Sequence, residues 1–333
     1  MTTASWGEPT EGGGDFSRRL QPYRRELLAY CYRMMGGIHD AEDLLQETML
    51  RAWRALDDYD PSRASIRTWL YRIATNACLT ALEQRGRRAM PSGLRPASTE
   101  PAEALDRQPG VSWLQPAPDS LLLSDDPADT VVTRESVRLA LVATLQQLPP
   151  RQRVVFILRD VLVWRAAEVA ELLDSSVAAV NSALQRARAQ LGSVEPDTTD
   201  ATDPLSPQLQ DLLARYVKAF ETADIAELVS IMRADVALEM PPYATWFAGR
   251  DAVAGFFSEV VFATGGRRTL PTLANGQPAI ASYKQLPDGR FGAHSIHLLT
   301  PTSGAILRLR VFMEPGLFAT FDLPELLPAV GSG

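Results

Sequence analysis

The sequence predicts a multidomain protein: two all-α blocks, the second a helix-turn-helix, followed by an α+β domain. Three observations carry this reading. Apolar residues recur at helical spacing through residues 16–88 and again through 133–191. The stretches at 91–128 and 192–207 are rich in proline and acidic residues, a composition that cannot bury a core. From residue 208 the pattern becomes two helices and a run of strand-like segments. The implied division is 16–90, a flexible acidic linker at 91–132, a second helical domain at 133–192, a linker at 193–207, and a third domain at 208–328.

The elements follow in order. Phe16 to Met35 carries Leu20, Tyr23, Leu27, Leu28 and Cys31 on one helical face and stops at Gly36-Gly37. A second helix runs from Ile38 to Leu56 and ends at Asp57-Asp58-Tyr59-Asp60-Pro61. A third spans Ile66 to Arg88. Within the first linker, Val111-Ser112-Trp113-Leu114 is an apolar island suited to docking. In the last domain, helices at 208–222 and 224–233 precede a strand at Val236–Met240 and a helix near Arg250–Phe262. Strands follow at Arg268–Ala274, Ala279–Leu286, Arg290–Leu299 and Ala305–Met313, with a hairpin turn at Pro287-Asp288-Gly289-Arg290.

Composition excludes several classes. No run approaches the ~18 apolar residues of a membrane span. The first 16 residues lack the basic start and apolar centre of a secretory signal. Cys31 and Cys78 stand apart, with no CxxC and no Cys/His cluster, so neither a metal, a cofactor nor a disulfide scaffold is called for. The expected address is the reducing cytoplasm. The net charge of -7 is uneven: +1 over 1–91, -5 over 92–133, +3 over 134–192 and -6 over 193–333. Near-neutral or basic helical blocks thus alternate with acidic segments.

Three segments carry candidate functional residues. In Asp40–Trp53, Leu45, Met49, Ala52 and Leu56 share one helical face while Asp43, Glu47, Arg51 and Arg54 share another, with Glu47 and Arg51 at i,i+4. Between Arg67 and Arg88, Trp69 and Tyr71 interleave with Arg67, Arg72, Arg85, Arg87 and Arg88. Aromatic faces stack on unpaired bases and guanidinium groups hold phosphates; Trp69 reads equally as core, and Arg85, Arg87 and Arg88 are the better phosphate candidates. In Trp164–Leu191, Asp174-Ser175-Ser176 makes a turn with an N-cap hydroxyl. The helix after it buries Val177, Val180, Leu184 and Leu191 and turns Ala178, Asn181, Ser182, Gln185, Arg186 and Arg188 outward, the form of a helix-turn-helix reader.

Together these segments resemble the sigma-70 family, specifically its extracytoplasmic-function group, over roughly 16–89 and 134–191. The resemblance implies promoter-specific transcription initiation, without chemistry of the chain's own. It implies core RNA polymerase as partner, through the clamp of the largest subunit and the flap, and promoter DNA. Asp43, Gln46, Glu47 and Arg51 would touch polymerase. Arg63, Ser65, Arg67, Arg72 and Asn76 would touch the -10 strand, and Ser176, Asn181, Gln185, Arg186 and Arg188 the -35 element. One departure is Thr80, where many relatives carry an acidic residue.

Residues 208–328 resemble the SnoaL-like members of the nuclear transport factor two-like superfamily, an α+β cone, on the run Met240-Pro-Pro-Tyr-Ala-Thr-Trp-Phe-Ala-Gly-Arg-Asp-Ala-Val-Ala-Gly-Phe-Phe257. The expected role is regulation in cis, by an acidic contact on the basic helix-turn-helix anchored through Tyr243, Trp246 and Phe247. Those residues and His294 are the candidates for cavity or interdomain contact, with a small molecule as a candidate ligand. Glu239 and Arg308 are further cavity candidates. His294 and His297 lie three apart and point to opposite faces of a regular strand unless a bulge intervenes. The alternative reading is a SnoaL-like cyclase or isomerase fused to a DNA-binding regulator.

Overall fold

The structure is a computed structural model that describes residues 18–123, 135–192, 206–302 and 304–329. The Arg85 side chain, residues 124–132 of the first expected linker and residues 193–205 of the second lie outside the described residues.

The first domain is three helices: α1 (Arg24–Met35), α2 (Ile38–Arg54) and α3 (Ile66–Arg85). Pro22 sits in a 3-10 turn at Gln21–Tyr23, so the regular helix starts later than periodicity alone suggests. Gly36 ends α1 with φ +69, a left-handed value that glycine adopts without steric cost. Ser65 caps α3, its Oγ accepting from the Thr68 amide at 3.1 Å. Cys31 and Cys78 meet inside this bundle, sulfur to sulfur at 3.8 Å, as free thiols.

The second domain contains α4 (Leu139–Leu145), α5 (Pro150–Phe156), α6 (Ala166–Leu172) and α7 (Val177–Gly192). Ser176 is the N-cap of α7, accepting from the Ala179 amide at 3.1 Å. Val180, Leu184 and Ala187 form the buried stripe of α7, but Val177 is exposed, at the outer end of the helix, rather than core as its apolarity suggested.

The third domain opens with α8 (Pro207–Glu221) and α9 (Ile225–Ser230). Strand β1 (Met232–Glu239), strand β2 (Trp246–Ala248) and α10 (Arg250–Phe256) follow. Next come β3 (Arg267–Ala274), β4 (Gln277–Gln285), β5 (Phe291–Thr302) and β6 (Ala305–Phe312). The chain closes with α11 (Leu317–Thr320) and β7 (Leu326–Leu327). The sheet order is β2-β1-β6-β5-β4-β3, with β7 added to β5 and only β1–β6 parallel. Register shifts in the β1–β6, β4–β5 and β5–β6 pairings bend this sheet. Its concave face, with Val236, Leu238, Leu299 and Leu309, closes on α8 and α10.

The convex face is also buried. Ala279, Ala281, Tyr283, Ile296, Leu298 and Phe312 join one apolar cluster that continues through the cores of both helical domains. Helix α11 covers part of this face, Phe318 meeting Tyr283 edge-on at 5.1 Å.

Residues 86–123 form an ordered strap across the cone, although the chain from 91 onward was expected to be flexible. The Ser98 amide donates to the Trp246 carbonyl at 2.8 Å, the Ala244 amide to Asp106 at 2.7 Å, and the Gln108 amide to Pro242 at 3.1 Å. The Trp113–Leu114 island docks as its apolarity suggested, with Leu114 1 % exposed. Composition missed this order because the strap's partners are remote in sequence, and proline narrows the unfolded ensemble, so ordering costs less entropy.

All parts meet at Asn275, in the Asn275-Gly276 turn between β3 and β4, where both residues have positive φ (56° and 68°). Its Nδ2 donates to Tyr32 Oη of the first domain (2.8 Å) and to the Val137 carbonyl of the second (2.7 Å). Its Oδ1 accepts from the Ala117 amide of the strap at 3.0 Å, and its own amide donates back to the Ala117 carbonyl at 3.0 Å. Asn275 is 0 % exposed. Replacement by glycine keeps the backbone geometry but takes a hydrogen bond from three buried partners, of which Tyr32 Oη keeps its bond to the Gln115 carbonyl. We expect Asn275→Gly to cost about 3 kcal/mol in urea unfolding, and a loss below about 0.5 kcal/mol would show that the joint is not closed in solution.

Candidate polymerase and nucleic-acid interfaces

The outer face of α2 is open. Asp43, Gln46 and Arg51 are exposed, and Glu47, half-buried, pairs with Arg51 at 2.7 Å. Leu50 and Trp53 are exposed beside them. An apolar pair among charges that hold each other in place is a surface suited to a protein partner.

Asp40, at the start of α2, turns inward. Arg88 donates to its carboxylate and to the Trp113 carbonyl, tying strap to helix. Gly37 makes this possible: a Cβ there would lie 2.3 Å from the Arg88 guanidinium carbon. Arg88 is therefore a structural latch here rather than the exposed phosphate contact expected of it. Gly86, with φ +71, ends α3 before Arg87 and Arg88. Arg87 is exposed.

The face of α3 expected to read single-stranded DNA is partly covered by the second domain. Arg67 pairs with Glu26 at 3.0 Å and lies over the rings of Tyr71 and Trp164, at 5.2 and 5.5 Å. Tyr71 and Trp164 pack ring on ring at 5.1 Å. Arg72 donates to the Glu171 carbonyl of α6 at 3.1 Å. Trp69 packs against Tyr59 at 4.9 Å and is half-buried. Arg63, Ser65 and Asn76 remain exposed. Behind this contact, Arg33 donates to the Ser136 carbonyl (3.1 Å) and hydroxyl (2.6 Å), and Arg153 to Met34, Gln146 and Leu148. Burial lowers both guanidinium pKa values to about 10, so both stay charged near neutrality.

Among the described residues, the reading face of α7 is clear of the other domains. Ser176, Asn181, Gln185, Arg186 and Arg188 are all exposed. Arg188 pairs with Asp160 of its own domain at 2.7 Å. Among the described residues the expected acidic contact between cone and α7 is not made: the cone grips the strap and the joint instead. Its aromatic anchors serve the strap. Trp246 Nε1 donates to the Arg95 carbonyl at 2.8 Å, and the backbones of Tyr243 and Phe247 form β-bridges with Arg107 and Ser98. Phe247 also stacks on Phe256 inside the cone.

Inside the cone a bulge does intervene between the histidines. Ser282 pairs with Ser295 and Tyr283 with Ala293, which leaves His294 as the extra residue of β5. Tyr216 Oη meets His297 Nδ1 (2.9 Å), His297 Nε2 meets Ser295 Oγ (2.9 Å), and Ser295 Oγ meets His294 Nδ1 (3.1 Å). Glu239 is buried, accepting from Ser92 Oγ at 2.6 Å and from Arg310 at 3.2 Å. Sequence reasoning missed Asn275, Trp164, Arg33 and Arg153. The Asn-Gly pair signals a hairpin, but nothing local says that its amide joins three other segments.

Comparison with known proteins identifies both helical domains. Residues 20–88 match the model of sigma-70 region 2, and residues 138–191 that of sigma-70 region 4. The ECF RNA polymerase sigma factor SigG of Mycobacterium tuberculosis is 49% identical over 323 residues, covering 95% of this chain and 86% of that one. SigJ of the same organism is 28% identical over 92% of this chain and 94% of its own. The crystal structure of Mycobacterium tuberculosis SigJ superposes with a TM-score of 0.61 at 25% identity, covering 92% of this chain and 99% of that one.

The histidine chain sets a pH dependence. Burial, then the charge of neighbouring groups, pushes His297 down to about 3 and His294 to about 4. Unfolded histidine takes up its proton near 6.5. The fold therefore keeps its full stability above about pH 6.5 and loses it as pH falls, by at most about 1.4 kcal/mol per pH unit for each histidine. We expect the melting temperature to drop between pH 6.5 and 4.5, and less steeply in His297→Gln. Identical slopes in the two proteins would contradict this assignment.

Proposed function

The chain belongs to the sigma-70 family as an extracytoplasmic-function sigma factor that binds core RNA polymerase and promoter DNA, and we propose that its cone and strap govern it in cis by holding a closed state. The sigma factor itself is not an enzyme; it directs where the polymerase starts. The observation that carries the proposal is the contact of α3 with the second domain. Arg67, Tyr71 and Arg72 lie against Trp164 and Glu171. In the closed state the -35 reader and the polymerase face of α2 are presented, while the -10 face is held against α6 and Trp164. Reading both elements at once requires the two helical domains to separate along the duplex. The cone opposes separation through Asn275, Val137 and Tyr32.

Within this reading, Asp43, Gln46, Glu47 and Arg51 contact polymerase at the clamp. Arg63, Ser65, Arg67, Arg72 and Asn76 contact the opened -10 strand, with Arg85 and Arg87 on phosphates and Arg88 joining them once its latch releases. Asn181, Gln185, Arg186 and Arg188 read the -35 element, with Ser176 holding the helix start. The place of action is the cytoplasm, with the polymerase.

Two expectations follow. The double variant Asp43→Lys/Glu47→Lys should weaken binding to core polymerase in a titration while shifting the melting temperature little, because Asp43 is exposed and the Glu47–Arg51 pair lies at the surface; unchanged affinity would remove α2 as the anchor. Gly37→Ala is compatible with the backbone there, φ -140° and ψ 133°, yet displaces the Arg88 guanidinium. Run-off transcription with core polymerase should rise several-fold in Gly37→Ala. Equal or lower activity, with core binding intact, would argue against a closed inhibitory state.

A further inference from the structure

A strained turn delivers Trp164 to α3. Val163, the residue before it, has φ +55, a left-handed value that a β-branched residue adopts only at a cost, and is 77 % exposed. The Trp164 backbone is pinned at both ends: its amide donates to the Leu158 carbonyl at 2.8 Å, and its carbonyl accepts from Arg159. The indole packs on the Tyr71 ring at 5.1 Å, with the Arg67 guanidinium 5.5 Å from its own ring. Its Nε1 is buried with no hydrogen-bond partner among the described residues, although a buried indole N–H usually finds one. The contact thus rests on the face of the ring.

Seven residues later, α6 brings a carboxylate to the same surface. Glu171 pairs with Arg72 at 3.7 Å, and its backbone carbonyl accepts from the same guanidinium at 3.1 Å. Both side chains are open to water, 42 % for Arg72 and 61 % for Glu171. Such a pair adds little stability of its own and is readily exchanged.

Ring and carboxylate together present the chemistry of a single nucleic-acid strand. A planar π-face meets Tyr71 and one guanidinium, as an unpaired base does. An anion meets the second guanidinium, as a phosphate does. We propose that Trp164 and Glu171 form an internal mimic of the opened -10 strand, the indole standing in for a base and the carboxylate for a phosphate. This deepens the closed-state reading and rests on it, together with the assignment of Arg67 and Arg72 to that strand. It specifies the kind of inhibition. A mimic competes for the same groups, so strand and second domain exclude each other on α3, and the strand's apparent affinity falls with the share of molecules in which the mimic is seated. Stacking is tolerant of base identity, so the mimic withholds affinity for single strands without choosing among sequences.

The test is fluorescence anisotropy of the full chain with a labelled single-stranded oligodeoxynucleotide of random sequence, about 12 nucleotides long. Trp164→Leu keeps an apolar side chain but loses the π-face, and should bind about tenfold more tightly than the unmodified chain. Trp164→Phe keeps a ring face and should stay close to it. Glu171→Gln, at the surface, leaves the fold and the carbonyl contact in place and should tighten binding about threefold. That gain should vanish in the Arg72→Ala background, which a general change of net charge would not achieve. Equal tightening by Trp164→Leu and Trp164→Phe, or a Glu171→Gln gain that survives Arg72→Ala, would overturn the mimic. Asn275→Gly separates the two readings. Tightening in Asn275→Gly, Trp164→Leu and Glu171→Gln supports both. Tightening in Asn275→Gly alone keeps the closed state and removes the mimic. Tightening in the other two alone keeps the mimic and removes the cone's hold on it. No change in any of the three overturns both.

Discussion

The assembly depends on a single buried amide. Asn275 satisfies its side chain and its own N–H on three segments: the first domain, the second domain and the strap between them. Apolar contact around it is extensive but non-directional, and would tolerate many docking angles. Hydrogen bonds to fixed carbonyl, hydroxyl and amide partners do not. Removal of one partner leaves the others desolvated, so the cost of misdocking greatly exceeds the net gain from any one bond. Arg33 and Arg153 extend the same logic to the contact between the helical domains: each buried guanidinium spends its donors on carbonyls and side-chain oxygens, not on carboxylates.

That arrangement gives a switch a natural form. Polar joints inside an apolar cluster open cooperatively, because a partly broken network is worse than either end state. The strap supplies the coupling. It is held by Arg88 to α2, by Ser92 to Glu239 and by Gln115 to Gly36, so a displacement at one point is felt along its length. The exposed face of α7 and the exposed face of α2 carry none of these bonds.

Much of this was legible in the sequence. The helices of both α domains and the main strands of the cone follow from periodicity and from Gly, Pro and Asp-Gly punctuation, and the exposed faces of α2 and α7 follow from the opposite side of the same periodicity. The strap was not legible, because its order comes from backbone groups of β1, β2 and the β3–β4 turn, and no local pattern records such partners. Val177 was misassigned because an apolar residue at the first turn of a reading helix looks like core. The latch made by Arg88 was not legible because a basic residue after a helix looks solvated, while the glycine that admits it lies 51 positions earlier in the chain. The charge argument failed for a related reason: net charge by segment says nothing about which faces meet. His294 and His297 were reconciled by a bulge, which shifts side-chain direction by one residue and leaves no clear mark in composition.

The two-sided burial of the cone's sheet constrains how such a protein can change state. Strand β4 is buried along Gln277–Tyr283, and Ile296, Leu298 and Phe312 share an apolar cluster with the helical domains. Undocking would wet that convex surface at roughly 25 cal/mol for each Å² uncovered. An opened molecule would therefore be adhesive. Release into bulk water is the least favourable route; a hand-over, in which the cone exchanges one apolar neighbour for another without standing free between them, fits the surface better.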